Sequence, residues 1–127
     1  MYGYNLSRKD RLEGIPGKVA VTSQMMLEET LKNLSSEVSK KVIGALKNAR
    51  IIDIYSVENS NAVASDLLTK LLYLGLSCRH FDDYYHQKIS AGNLTSQDAA
   101  VGISYSGYSR DTVEVMKEAK KSGAVTI

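Results

Sequence analysis

Apolar residues recur at spacings of three and four from Ser23 onward, and Leu27, Leu31, Leu34, Val38, Val42 and Leu46 fall on one helical face. Ser35-Ser36 interrupts the stripe and offers an N-cap, so the pattern predicts two helices, at 23–33 and 36–48. Then the period shortens. Arg50-Ile51-Ile52-Asp53-Ile54-Tyr55-Ser56-Val57 is β-branched and aromatic, a strand in which Asp53 has to find a partner. Val63, Leu67, Leu71 and Leu74 restore helical spacing over 61–74, with Gly75 placed to close the helix. Beyond it the pattern predicts a short strand at 77–81, a short helix at 84–91, a loop at 93–98 and a strand at 99–104. A helix at 109–121, stopped by Gly123, and the opening of another strand at 124–127 complete the pattern.

Strands alternating with helices predict an α/β fold, a parallel sheet with helices on both faces and right-handed crossovers. Residues 1–22 are polar, contain Pro16 and three glycines and keep no period, which predicts a linker or N-terminal arm ahead of a domain at 23–127. Within that arm GIPGKV lacks the first glycine and the Ser or Thr of a phosphate-binding P-loop, so that motif is rejected. The chain stops in an apolar strand, where a parallel sheet ordinarily continues into a covering helix. A C-terminally incomplete domain, part of something longer, is the expectation.

Composition narrows the class. At 127 residues with 43% hydrophobic and 24% charged positions, the chain is of single-domain size and has the make-up of a soluble globular protein. A net charge of +2 is too small for a surface built to coat nucleic acid. Cys78 is alone, which excludes an internal disulfide and points to a reducing, cytoplasmic setting. Neither a signal peptide nor a stretch of about 20 apolar residues is present, so no membrane is expected as a partner.

Ligands of open α/β sheets bind beyond the carboxyl ends of the strands, which directs attention to Ser56-Val57-Glu58-Asn59-Ser60-Asn61 and Ser104-Tyr105-Ser106-Gly107-Tyr108-Ser109. Each leads into a predicted helix, whose free N–H groups and positive dipole end favour an anion, and serine hydroxyls add donors. Ser60 and Ser109 are also explained as plain N-caps, whereas Ser104 and Ser106 are not. His80, His86 and Cys78 have no metal-ligand spacing, and no metal or cofactor is expected. Asp82-Asp83 reads as a cap rather than an acid–base pair, Met25-Met26 as core or dimer packing, and Lys40, Lys41 and Lys47 as solvated helix positions.

Ile103-Ser104-Tyr105-Ser106-Gly107-Tyr108-Ser109 resembles the S-x-S-G-x-S/T phosphosugar loop of SIS (sugar isomerase) domains. Its frame is similar too, with Asn93-Leu94-Thr95-Ser96-Gln97-Asp98 before the strand and Ala119-Lys120-Lys121-Ser122-Gly123-Ala124 after the helix. Upstream, the stretch from Asn59 to Leu71 resembles the first loop and helix of this domain in RpiR-type transcriptional regulators, and the similarity covers about residues 23–127. The resemblance implies a flavodoxin-like sheet and a sugar-phosphate site made by Asn59, Ser60, Ser104, Tyr105, Ser106, Gly107 and Ser109. It further implies a ligand-sensing rather than catalytic role, a homodimer, and DNA contact only through a helix-turn-helix outside this chain. An aldose–ketose isomerase on the same fold is the alternative; a dinucleotide-binding domain would need a G-x-G-x-x-G that the first strand lacks. One departure stands out: family members commonly open the first loop with G-x-G, where this chain has Ser56-Val57-Glu58.

Overall fold

The computed structural model describes residues 6–127. The chain divides into two compact units, 1–39 and 40–127. In the first, helix α1 spans Ile15–Asn33, so it begins well before Ser23, inside the segment expected to be irregular. Pro16 lies in its first turn, where a missing N–H leaves no bond unmade and the fixed φ suits the helix. Read from sequence as a breaker, Pro16 is a starter. Helix α2 spans Ser36–Asn48, and Ser35 Oγ accepts from the Val38 N–H at 3.4 Å, the cap expected of the Ser35-Ser36 break. Leu27, Leu31, Leu34 and Val38 remain exposed, and so do Met25 and Met26.

The second unit follows the predicted alternation. Strand β1 is Ile52–Tyr55, helix α3 Ser60–Tyr73, strand β2 Cys78–His80, helix α4 Tyr84–Gly92, strand β3 Ala99–Gly102, helix α5 Arg110–Lys121 and strand β4 Val125–Thr126. All pairings are parallel, in the order β2-β1-β3-β4. The central strand is buried on both sides, and its residues divide by parity between two cores. Ile52 and Ile54 join Ala99 and Val101 against Ala64 and Leu71 of α3, with Leu46 of α2 packed alongside. Tyr55 and Ala100 join Ala91 of α4 and Val115 and Ala119 of α5. Helices therefore cover both faces of the sheet.

Helix α3 ends as its glycine predicts. Gly75 adopts φ +74°, its N–H bonds to Leu72 O, and the Leu76 N–H bonds back to Leu71 O, which satisfies the last carbonyls of the helix. Among the described residues no helix is long and apolar enough to cross a membrane.

Candidate functional site

Strand β1 connects through α3 to β2 on one side, whereas β3 lies on its other side, so the chain changes direction between β1 and β3. A crevice forms where neighbouring strands send their connections opposite ways. The two serine-bearing loops start there together: Tyr55 is in register with Gly102, and the Ile103 N–H donates to Tyr55 O at 2.8 Å.

The first loop, 56–59, is tied from below. Ser56 is fully buried, and its hydroxyl donates to Asn61 Oδ1 at 2.6 Å. Its carbonyl accepts from Gln87 Nε2 of α4 at 2.7 Å. The chain then turns, with the Ser60 N–H bonded to Val57 O at 3.1 Å and Glu58 at φ +53°. That left-handed geometry is one a glycine adopts freely, and Glu58 is the one non-glycine residue with positive φ among the described residues. Asn59, not Ser60, is the N-cap of α3, and its side chain makes no cap bond; Ser60 is the first helical residue. The cap explanation for Ser60 is thereby removed.

Two short bonds shape the second loop from within. Ser104 Oγ accepts from the Gly107 N–H at 3.1 Å and Ser106 Oγ from the Tyr108 N–H at 3.2 Å. Gly107, at φ +70°, lets the chain reverse there. Ser109 is the N-cap of α5 by position, yet its oxygen accepts from the Thr112 hydroxyl at 3.3 Å rather than capping a backbone N–H. Tyr105 and Tyr108 are 71% and 90% exposed, so neither ring serves the core. An open cavity of about 440 Å³ is lined by Ser104 and Gly107 together with Thr112, Met116 and Lys117 of α5. It brings together part of the second loop and leaves out Asn59 and Ser60.

Charges around the loops are mostly committed. Arg110 Nε bonds Glu114 Oε1 at 3.0 Å, and Tyr84 OH donates to the other Glu114 oxygen at 2.8 Å. Those two bonds hold the Glu114 carboxyl below its ordinary range. Arg110 is thus paired within α5, and Glu58, which is exposed, has no cation at ion-pair distance among the described residues. Asp83 caps α4 by accepting from the His86 N–H at 3.0 Å, and the His86 ring lies beside the same carboxylate. His80 Nδ1 contacts Ile54 O at 3.0 Å, a packing role at the end of β1. Among the described residues no group of His, Cys, Asp and Glu side chains is arranged to hold a metal ion.

Beneath the crevice, Asp53 receives the partners that an apolar strand requires of it. Arg79 Nε and Nη2 bond its two oxygens at 2.8 and 3.0 Å, Tyr55 OH donates at 2.8 Å, and Ser90 Oγ donates as well. Burial, with the neighbouring Asp53 charge, pushes the Tyr55 phenol far upward, so it remains a donor. Arg79, Ser90 and Gln87 are residues that sequence reasoning missed; the lone Asp53 in an apolar run was the signal for the first two. Nothing local announces Gln87.

Comparison with known proteins bears on the family and the fold. The SIS domain family matches residues 45–127. A helix-turn-helix-type transcriptional regulator of Caldanaerobacter subterraneus is 35% identical over 96% of this chain, which spans 43% of that relative. The chain therefore covers less than half of the length of such relatives. The sugar isomerase domain of an RpiR transcription factor from Sphaerobacter thermophilus superposes with a TM-score of 0.84 at 26% identity, over 89% of this chain and 64% of the other. The NanR protein of Vibrio vulnificus, solved with ManNAc-6P, shares the fold at a TM-score of 0.81 and 21% identity, over 96% of this chain and 45% of that one.

Proposed function

The chain belongs to the SIS domain family, and on that footing we propose that it is the phosphosugar-binding part of an RpiR-type transcriptional regulator. The observation that carries this reading is the Ser104–Ser109 loop, which opens the cavity and leads into the N-terminus of α5 at the point where the sheet changes direction. Free N–H groups of α5 and the loop hydroxyls make neutral donors for a dianion, and Lys117 and Lys120 line the same cavity. Ser104, Ser106, Gly107 and Ser109 would hold the phosphate, with Tyr105 beside it and Asn59 and Ser60 closing the site from the first loop. N-acetylmannosamine-6-phosphate is a reasonable first ligand, since NanR of the same fold binds it.

DNA contact would belong to a helix-turn-helix elsewhere in a longer protein, in keeping with the regulators to which the chain is similar. The ligand-binding body would comprise 23–127, with 1–22 leading into it, and the setting would be cytoplasmic. A homodimer fits the exposed Leu27, Leu31 and Leu34.

Calorimetry of the chain with N-acetylmannosamine-, glucosamine- and glucose-6-phosphate against the unphosphorylated sugars tests the reading. Binding of at least one phosphate ester and of none of the free sugars is expected. Equal affinity for both classes would sink it, and turnover of glucose-6-phosphate to fructose-6-phosphate would move the protein to the isomerase alternative.

A further inference from the structure

We propose that Gln87 is a positioning residue of the ligand site, a single buried amide that fixes where the first loop stands; the inference rests on the phosphosugar reading above. Gln87 is fully buried on α4. Its Nε2 donates to Ser56 O at 2.7 Å and to Phe81 O at 2.6 Å. Both partners are carbonyls, so the amide can face them only with its nitrogen. Ser56 is the first residue after β1, and Phe81 the first after β2. One NH₂ group therefore spans the carboxyl ends of two adjacent strands.

The choice of glutamine has a cost that identifies its purpose. Oε1 is buried with no partner among the described residues, and an unsatisfied buried acceptor costs about 1–3 kcal/mol. Two donors on one atom are what the position requires, and no carboxylic acid or thioether of similar size supplies them. Beyond Tyr55, whose carbonyl takes the last ladder bond from Ile103, the peptide leaving Ser56 has no strand to orient it. Gln87 orients it instead. The Ser56 hydroxyl bond to Asn61 closes the same loop from the helix side, and between these two ties sits the turn holding Glu58 at φ +53°. A loop so constrained presents Asn59, Ser60 and the start of α3 in one place, which reduces the ordering cost of binding.

The test uses the full chain with Gln87→Met, which keeps the volume and removes both donors, and Gln87→Glu, which keeps the shape. Burial holds that carboxyl protonated, so it donates one bond in place of two. Amide hydrogen exchange at 57–61 and at 106–109 is compared, and affinity for N-acetylmannosamine-6-phosphate is measured beside inorganic phosphate. First-loop exchange is expected to quicken about tenfold in Gln87→Met and less in Gln87→Glu, with 106–109 unchanged. Sugar-phosphate affinity should fall about tenfold in the same order, and inorganic phosphate less. Unaltered exchange at 57–61 would overturn the proposal whatever the ligand does, and so would faster exchange with undiminished sugar-phosphate affinity. Should Gln87→Met fail to fold, Gln87→Glu supplies the same two readouts. If the wild type binds none of the probes while its variants loosen at 57–61, the functional reading falls and the positioning of the loop by Gln87 stands.

Discussion

The two loops at the crevice begin side by side and are held in opposite ways. The first is fastened by side chains from other elements: the buried Gln87 on the Ser56 carbonyl, the half-buried Asn61 on its hydroxyl, and the Asp53 network beneath it on β1. The second is shaped by local bonds, Ser104 and Ser106 accepting from the Gly107 and Tyr108 N–H groups, all at or near the surface. The difference assigns them different work. On the proposed reading, a phosphate entering the second loop would take N–H groups that serine oxygens now occupy, and the hydroxyls would then turn to donate as well. That exchange would be cheap for this loop because no bond is left unmade. A preformed first loop gives it something to close against.

Cutting the support under β1 should have the largest effect. Asp53 is fully buried, and Arg79, 43% exposed along its side chain, is its cation. Arg79→Leu leaves that carboxyl without its cation, for which we expect a loss of about 3 kcal/mol, the low end of the range for a broken buried pair because water reaches Arg79. Urea unfolding measures it. A loss below about 1 kcal/mol would mean that Tyr55 and Ser90 alone suffice to hold Asp53.

A smaller loss should come from Asp98, at the entrance to β3. Arg50 grips it with bonds of 3.0 and 2.8 Å, and the Thr95 N–H and hydroxyl donate to it too. Burial pushes the Asp98 carboxyl up, but the Arg50 and Thr95 bonds outweigh it and hold it below the ordinary carboxylate range. A carboxyl depressed in the folded state contributes stability that is complete above its unfolded value and is lost as pH falls through the folded one. Thermal melts should therefore be flat on this account from neutrality down to about pH 5 and fall below pH 4. Asp98→Asn should cost about 1–2 kcal/mol at pH 7 and flatten the acid limb. An acid limb of unchanged steepness in the variant would remove Asp98 from the account.

How much of this was legible in the sequence follows from the range of each interaction. The strands and helices of 40–127 were, because parity and helical spacing are local and both faces of β1 are buried. So was the second loop, whose bonds run between residues two and three apart. The first loop was legible as a chain segment but not as a structure. Ser56 meets Gln87 across 31 positions and Asp53 meets Ser90 across 37, and no local pattern encodes such a meeting. The early start of α1 was missed for a different reason: Pro16 signals a helix start and a break with the same residue, and only the position of the turn decides between them.

The two loops separate most sharply in Ser104→Ala. The serine is partly exposed and its one bond is local, so stability should change by less than about 0.5 kcal/mol. Sugar-phosphate affinity should nevertheless fall about tenfold, since a hydrogen bond to a charged group is worth about 1.5–3 kcal/mol. Calorimetry and a melt on the same sample decide it, and a variant that loses stability while keeping its affinity would reverse the roles given to the two loops.

Glu58→Gly probes the one strained point in the fastened loop and should have the smallest effect. At φ +53° a residue with a Cβ pays about 1–2 kcal/mol relative to its right-handed form. Glycine has no such penalty, but it adds about 0.4–1 kcal/mol of chain entropy to the unfolded state. The difference spans about 0–1.6 kcal/mol, and its midpoint of about 0.8 kcal/mol raises Tm by about 3 °C for a domain of this size. A second consequence concerns charge. Glu58 is exposed with no cation at ion-pair distance among the described residues, so its carboxylate adds negative potential to the loop that, on the proposed reading, would face a dianion, and removing it should tighten binding of glucose-6-phosphate. Glucosamine-6-phosphate, whose ammonium group offsets that potential, should gain less. Salt separates the two contributions, because about 0.15 M salt screens an exposed charge beyond roughly 8 Å and leaves backbone strain untouched. If the Tm gain persists at high salt while the affinity gain shrinks, strain and charge both act at Glu58. If neither ligand binds more tightly at low salt, Glu58 stands clear of the phosphate and its weight is conformational alone.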